Sequence, residues 1–170
     1  MKKLIAIFAV MLAFTGLCFA ADPVEGYWIS VDEKTGKATA GWQIWEENGK
    51  LFGKILSNAD HPVDTLATGA KGKGPYADFP VAGDMASMPV VGTTWIYNLQ
   101  KKSEGKWEKG SIVDPGDGSK YNCKITFHKA DGKKYKTDTL EMRGEIGLGI
   151  GRSQFWVKAT LEEVMALQKK

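Results

Sequence analysis

Cysteine and histidine are scarce in this chain: 170 residues carry two of each. So few rule out a disulfide framework, and neither His61 nor His128 has a His or Cys partner at metal-ligand spacing, so no metal and no cofactor is expected. Long apolar runs are also missing. Outside the N-terminus nothing approaches the roughly 18 residues that cross a bilayer as a helix, so no transmembrane segment is expected in the mature chain. An excess of one charge is missing too, with 23 Lys and Arg against 20 Asp and Glu. That balance argues against nucleic acid as a partner. What the chain does have is glycine, 20 residues, and aromatics at 11%. The mixture suits strands joined by tight turns and excludes a collagen, a coiled coil or a disordered chain. At 170 residues and 43% hydrophobic content, one core and one domain are expected.

Residues 1–20 have the layout of an export signal. Lys2 and Lys3 precede an apolar run from Leu4 to Phe14, and Cys18-Phe19-Ala20 places small residues at the two positions signal peptidase reads. Cleavage after Ala20 is expected, sending the mature chain to the periplasm, or outside the cell where the source has no outer membrane. Cys18 invites a lipoprotein reading, but Leu17 stands where a small residue normally precedes a lipidated cysteine. Cleavage removes Lys2, Lys3 and Cys18, leaving a nearly neutral chain whose one cysteine is Cys123. Cys123 alternates in phase with Tyr121, Ile125 and Phe127, the pattern of a buried thiol.

Eight segments alternate with period two: Gly26 to Val31, Ala38 to Glu46, Leu51 to Leu56, Thr94 to Gln100, Trp107 to Val113, Lys120 to His128, Thr137 to Glu145 and Arg152 to Lys158. Asn48-Gly49 between two of them is a strong hairpin signal, repeated by Glu104-Gly105, Asp117-Gly118 and Asp131-Gly132. Consecutive hairpins build a meander, and a meander loses its exposed edges by closing. The expected fold is therefore all-β, an eight-stranded antiparallel meander barrel over residues 21–158, with a C-terminal helix over 159–170. Thr160 and Glu163 form that helix's capping box, and the helix is expected on the outside of the barrel. Ser57 to Pro89, rich in Gly and Pro, reads as a long, partly ordered loop or a lid over one mouth.

Local patterns for chemistry are absent. Gly69 to Gly74 ends in Pro75 where a phosphate loop needs Lys and Ser or Thr, and there is no G-x-S-x-G elbow. Gly147 to Gly151 lacks a β-α-β context, and Asp114-Pro115-Gly116-Asp117-Gly118 fits a turn better than a calcium loop. No enzyme is expected. The six tryptophans all fall on expected strands. An eight-stranded barrel is just wide enough to be filled by such side chains or to hold one small ligand. The candidate ligand-binding set is Trp28, Trp42, Trp95, Tyr121, Arg143 and Arg152, with a small hydrophobic or amphipathic molecule as partner. Arg143 alternates out of phase with Leu140 and Met142, which also allows an outer position paired with Glu141 or Glu145. Arg152 is expected over the Trp28 indole as a cation-π contact closing the barrel end. The alternative is an envelope-associated interaction module with a filled interior.

Gly26-Tyr27-Trp28 with the late Arg152 looks like the G-x-W and distant arginine of lipocalin and calycin barrels. A wider ordered set adds Gly49-Lys50-Leu51-Phe52-Gly53, Met88-Pro89-Val90-Val91-Gly92, Gly110-Ser111-Ile112-Val113-Asp114-Pro115 and Gly151-Arg152-Ser153-Gln154-Phe155-Trp156. Together these resemble the DUF2147 family of exported bacterial proteins, whose name marks a domain of unknown function. The resemblance implies a lipocalin-like barrel; ligand carriage enters as analogy of fold. The chain departs from the family pattern at Val113, around Lys133 to Thr137, and in its C-terminal helix.

Overall fold

The computed structural model describes residues 21–74, 76–147 and 149–170, so the export-signal reading of residues 1–20 lies outside it. Eight strands, β1 (Gly26–Val31), β2 (Ala38–Glu47), β3 (Lys50–Asn58), β4 (Thr94–Ser103), β5 (Lys106–Val113), β6 (Lys120–His128), β7 (Thr139–Gly147) and β8 (Ile150–Ala159), pair antiparallel in sequence order and close into a barrel. At the β2–β3 hairpin Asn48 and Gly49 take φ of 52° and 75°, the left-handed backbone a two-residue turn needs. None of the described helices is long and apolar enough to cross a membrane.

Alternation sends every second side chain inward, and one end of the barrel is filled solid. Trp28, Trp107, Trp156, Leu51, Ile125 and Leu140 are all at most 1% exposed there. The segment preceding β1 seals that end. The Trp28 indole N–H donates to the Val24 carbonyl at 2.8 Å, and the buried Asp22 carboxylate accepts the Gly105 N–H at 3.1 Å and pairs with Lys101 at 2.9 Å. Cys123 is fully buried in the wall as a free thiol. Burial pushes its pKa up, the opposite of what a nucleophile needs.

The wall has one thin seam. β1 and β8 pair only over Tyr27–Ile29 and Val157–Ala159; beyond that, β8 pairs with β7 and β1 with β2. A bulge between Ser30 and Val31, the Ser30 hydroxyl donating to the Ala40 carbonyl, and its contact with the Thr39 hydroxyl hold the end of β1 to β2, away from β8.

Two additions cover the outer surface. Helix α1 (Leu161–Ala166) is shorter than expected, because Gln168 and Lys169 turn back to hydrogen-bond Asn58 and His61. Its Thr160/Glu163 capping box is formed, and its buried Val164 lies against Gly41, where no side chain intervenes. The long connection from β3 to β4 is not a lid. It lies against the outer face of the wall, where Phe79 packs on Trp95 and Tyr97 at 5.9 and 5.3 Å between ring centroids, the Tyr76 hydroxyl donates to the Gly118 carbonyl at 2.7 Å, and Asp78 pairs with Lys120 at 2.6 Å. Its Met85 and Ala70 are buried in the same layer.

Candidate ligand cavity

At the end opposite the sealed one, the inward side chains stop short of one another and leave a cavity of about 510 Å³. Its base is the Trp42 indole, backed by the buried Trp156, on which it stacks with centroids 4.7 Å apart and planes at 21°. Both indole N–H groups are satisfied sideways, Trp42 on Ser30 Oγ at 3.3 Å and Trp156 on Gln154 Oε1 at 3.1 Å, which leaves the Trp42 face as apolar surface. Ile55, Ile112, Met142 and Tyr121 form the walls, and Gly144 widens the space beside Tyr121. Ile146 and Ile150, 71% and 63% exposed, stand at the mouth.

Two charged residues line the cavity, Asp114 and Arg152. The Asp114 carboxylate accepts the Gly116 N–H at 2.7 Å, holding the turn between β5 and β6. Arg152 reaches across the seam to Glu33, with Nη2 3.2 Å and Nε 3.4 Å from the same carboxylate oxygen.

Of the six residues read from the sequence, Trp42, Tyr121 and Arg152 come together here. Trp28 lies fully buried in the filled end. Trp95 points the other way, outward beneath the β3–β4 connection, with its N–H on the Val90 carbonyl at 2.8 Å. Arg143 is on the outer wall, its Nε 2.8 Å from Glu145 and its Nη2 2.8 Å from the Gly149 carbonyl. The expected contact of Arg152 with Trp28 is not made, and Lys158 takes its place, with Nζ 4.3 Å from the ring centroid and 2.7 Å from the Glu25 carbonyl. The reason is strand direction. β8 runs antiparallel to β1, so the end of β8, not its beginning, faces Trp28. The sequence reading also missed Ile55, Ile112, Met142 and Gln154, whose signal was there in their phase with inward neighbours.

The outer wall carries a chain of polar side chains that stops short of a hydrolase triad. Ser153 Oγ donates to Glu141 at 2.7 Å, and Glu141 meets His128 Nε2 at 2.9 Å. The carboxylate stands between hydroxyl and imidazole, so the histidine cannot take the serine proton. Burial raises the Glu141 pKa, but the bonds from Ser153 and His128 outweigh it and hold the carboxyl below its usual range. Glu145 is held low by Lys124 at 2.9 Å and Arg143 at 2.8 Å. A depressed folded-state pKa contributes stability above the unfolded carboxylate range and loses it as pH falls through the folded value. The melting temperature should therefore be flat toward pH 5 and fall below about pH 4.5, more shallowly in Glu145→Gln. Identical acid limbs for the two proteins in a pH series of thermal melts would contradict this role for Glu145.

The model of the family described as an uncharacterized protein conserved in bacteria (DUF2147) matches residues 26–158. The chain belongs to the DUF2147 family. Among solved structures this DUF2147 barrel is similar to one titled "Protein HP1028 from the human pathogen Helicobacter pylori belongs to the lipocalin family". The TM-score is 0.62 at 16% identity, over 84% of this chain and 87% of that one. At that identity the likeness speaks for the fold, a lipocalin-like barrel. No match was found among curated proteins.

Proposed function

We propose that this DUF2147 barrel is an exported, periplasmic, non-enzymatic protein that holds one small hydrophobic or amphipathic molecule in the open half of its barrel. The observation that carries the reading is the cavity itself: about 510 Å³ above the Trp42–Trp156 stack, in a barrel whose other half is filled. Ligand sites have volumes of roughly 300–1,000 Å³, mostly apolar walls and a few placed polar groups, and this cavity matches on each count. Tyr121, Gln154 and Arg152 supply the polar groups. Export rests on the pattern of residues 1–20, and the lipocalin-like fold is a supporting analogy.

The test is a titration of the mature protein with N-phenyl-1-naphthylamine, followed by tryptophan emission and by thermal melts. One saturable site that quenches tryptophan is expected, with a melting temperature that climbs with probe concentration, since binding to the folded state must stabilise it. No quenching and no shift, for this probe and for fatty acids and isoprenoids, would overturn the reading and favour an interaction module.

A further inference from the structure

One side of the cavity is bounded by a stretch of wall with no strand pairing. The wall between β1 and β8 is hydrogen-bonded only near the sealed end, and the cavity is lined from both sides of the gap above, by Ser30 on β1 and by Gly151, Arg152 and Gln154 on β8. Among the described residues, the side-chain link across that gap is the Arg152–Glu33 pair. Its side chains are 65% and 36% exposed, so it is an ion pair in water, of the kind that contributes little and exchanges partners readily.

Resting on the ligand-binding reading above, we infer that the β1–β8 seam is the headgroup site of that cavity, that the ligand is a single-chain amphiphile with a carboxylate head, and that Glu33 is its built-in competitor. Arg152 shares its inward phase with Gln154 and Trp156, pairing with Gly144 as they pair with Met142 and Leu140. Its side chain therefore rises from the cavity wall and ends at the seam. A tail lying on Trp42 between Ile55, Ile112 and Met142 brings the other end of the molecule to this guanidinium. Arg152 already holds a carboxylate, that of Glu33, so a carboxylate head replaces it like for like, through the same guanidinium nitrogens. The second charge of the cavity, Asp114, is engaged by the Gly116 N–H and offers nothing to an anion. Glu33 lies on the connection between β1 and β2 and is free to turn into solvent once displaced.

Dodecanoate and 1-dodecanol share a tail and differ in the head, so they separate this inference from the cavity reading. Each is titrated against N-phenyl-1-naphthylamine bound to the mature wild type, Arg152→Gln and Glu33→Gln at low salt. The wild type is expected to favour dodecanoate over dodecanol by roughly fivefold, the upper range of an exposed ion pair. Arg152→Gln should abolish that preference by weakening dodecanoate alone. Glu33→Gln should enlarge it by strengthening dodecanoate alone. Both substitutions are on the surface, and thermal melts check that they fold. Equal affinity for the two molecules in the wild type, or a preference untouched by Arg152→Gln, overturns the headgroup site and leaves the cavity standing. Failure of both molecules to displace the probe overturns the cavity reading with it.

Discussion

Trp28→Ala is expected to destabilise the barrel by about 4 kcal/mol, while Arg152→Ala costs less than about 0.5 kcal/mol. Trp28 is fully buried, bonds the Val24 carbonyl, meets Phe127 edge-on at 6.3 Å and lies beneath the Lys158 ammonium. Its truncation opens a void in the filled end and orphans a buried carbonyl, two costs that add. Lys158→Met removes the cation and keeps the stem, and should lose about 0.5–1 kcal/mol, non-additively with Trp28→Phe. Urea unfolding followed by circular dichroism at 25 °C measures all four. Arg152→Ala losses comparable to those of Lys158→Met would return the cation-π role to Arg152.

The second large effect is on binding. Gly144→Phe should abolish it, by more than about a hundredfold, with the barrel still folded. Gly144 lines the cavity in mid-strand, and a Cβ built there meets nothing closer than the Tyr121 Cβ at 3.4 Å, ordinary van der Waals contact. The backbone accepts a side chain, and the ring has the cavity to enter, displacing whatever lies on Trp42. Gly53, on the inner face of β3, offers the contrast: a Cβ there comes within 2.6 Å of Ile44 Cδ1 and 3.1 Å of Ile96 Cβ, so substitution costs stability first. Retained probe affinity in a folded Gly144→Phe protein would place the site elsewhere.

Strand positions and turns were legible because they are local. Period-two alternation located all eight strands, Asn48-Gly49 gave a hairpin, and Thr160 with Glu163 gave the capping box. What failed was long-range. In Thr94-Trp95-Ile96-Tyr97 both faces of β4 are apolar, since the outward one is covered by Phe79, so alternation could not say which residue faces in. The Gly- and Pro-rich connection read as a partly ordered loop or a lid because composition hides what Tyr76 and Phe79 do. Tryptophans 28 and 42 face each other across β1 and β2, both inward, yet only the second reaches the cavity. Phase gives the side of the wall; height along the axis depends on the sealing segment and on register.

The central claim, one half of the barrel open and the other filled, is tested most directly by ¹⁵N-indole and ¹³C-methyl NMR during titration with dodecanoate. The account predicts saturable shifts at the Trp42 indole and the Met142 and Ile112 methyls, with the Trp28 and Trp107 indoles unmoved. Shifts as large at Trp28 and Trp107 as at Trp42, or none anywhere at concentrations that displace the probe, would contradict it.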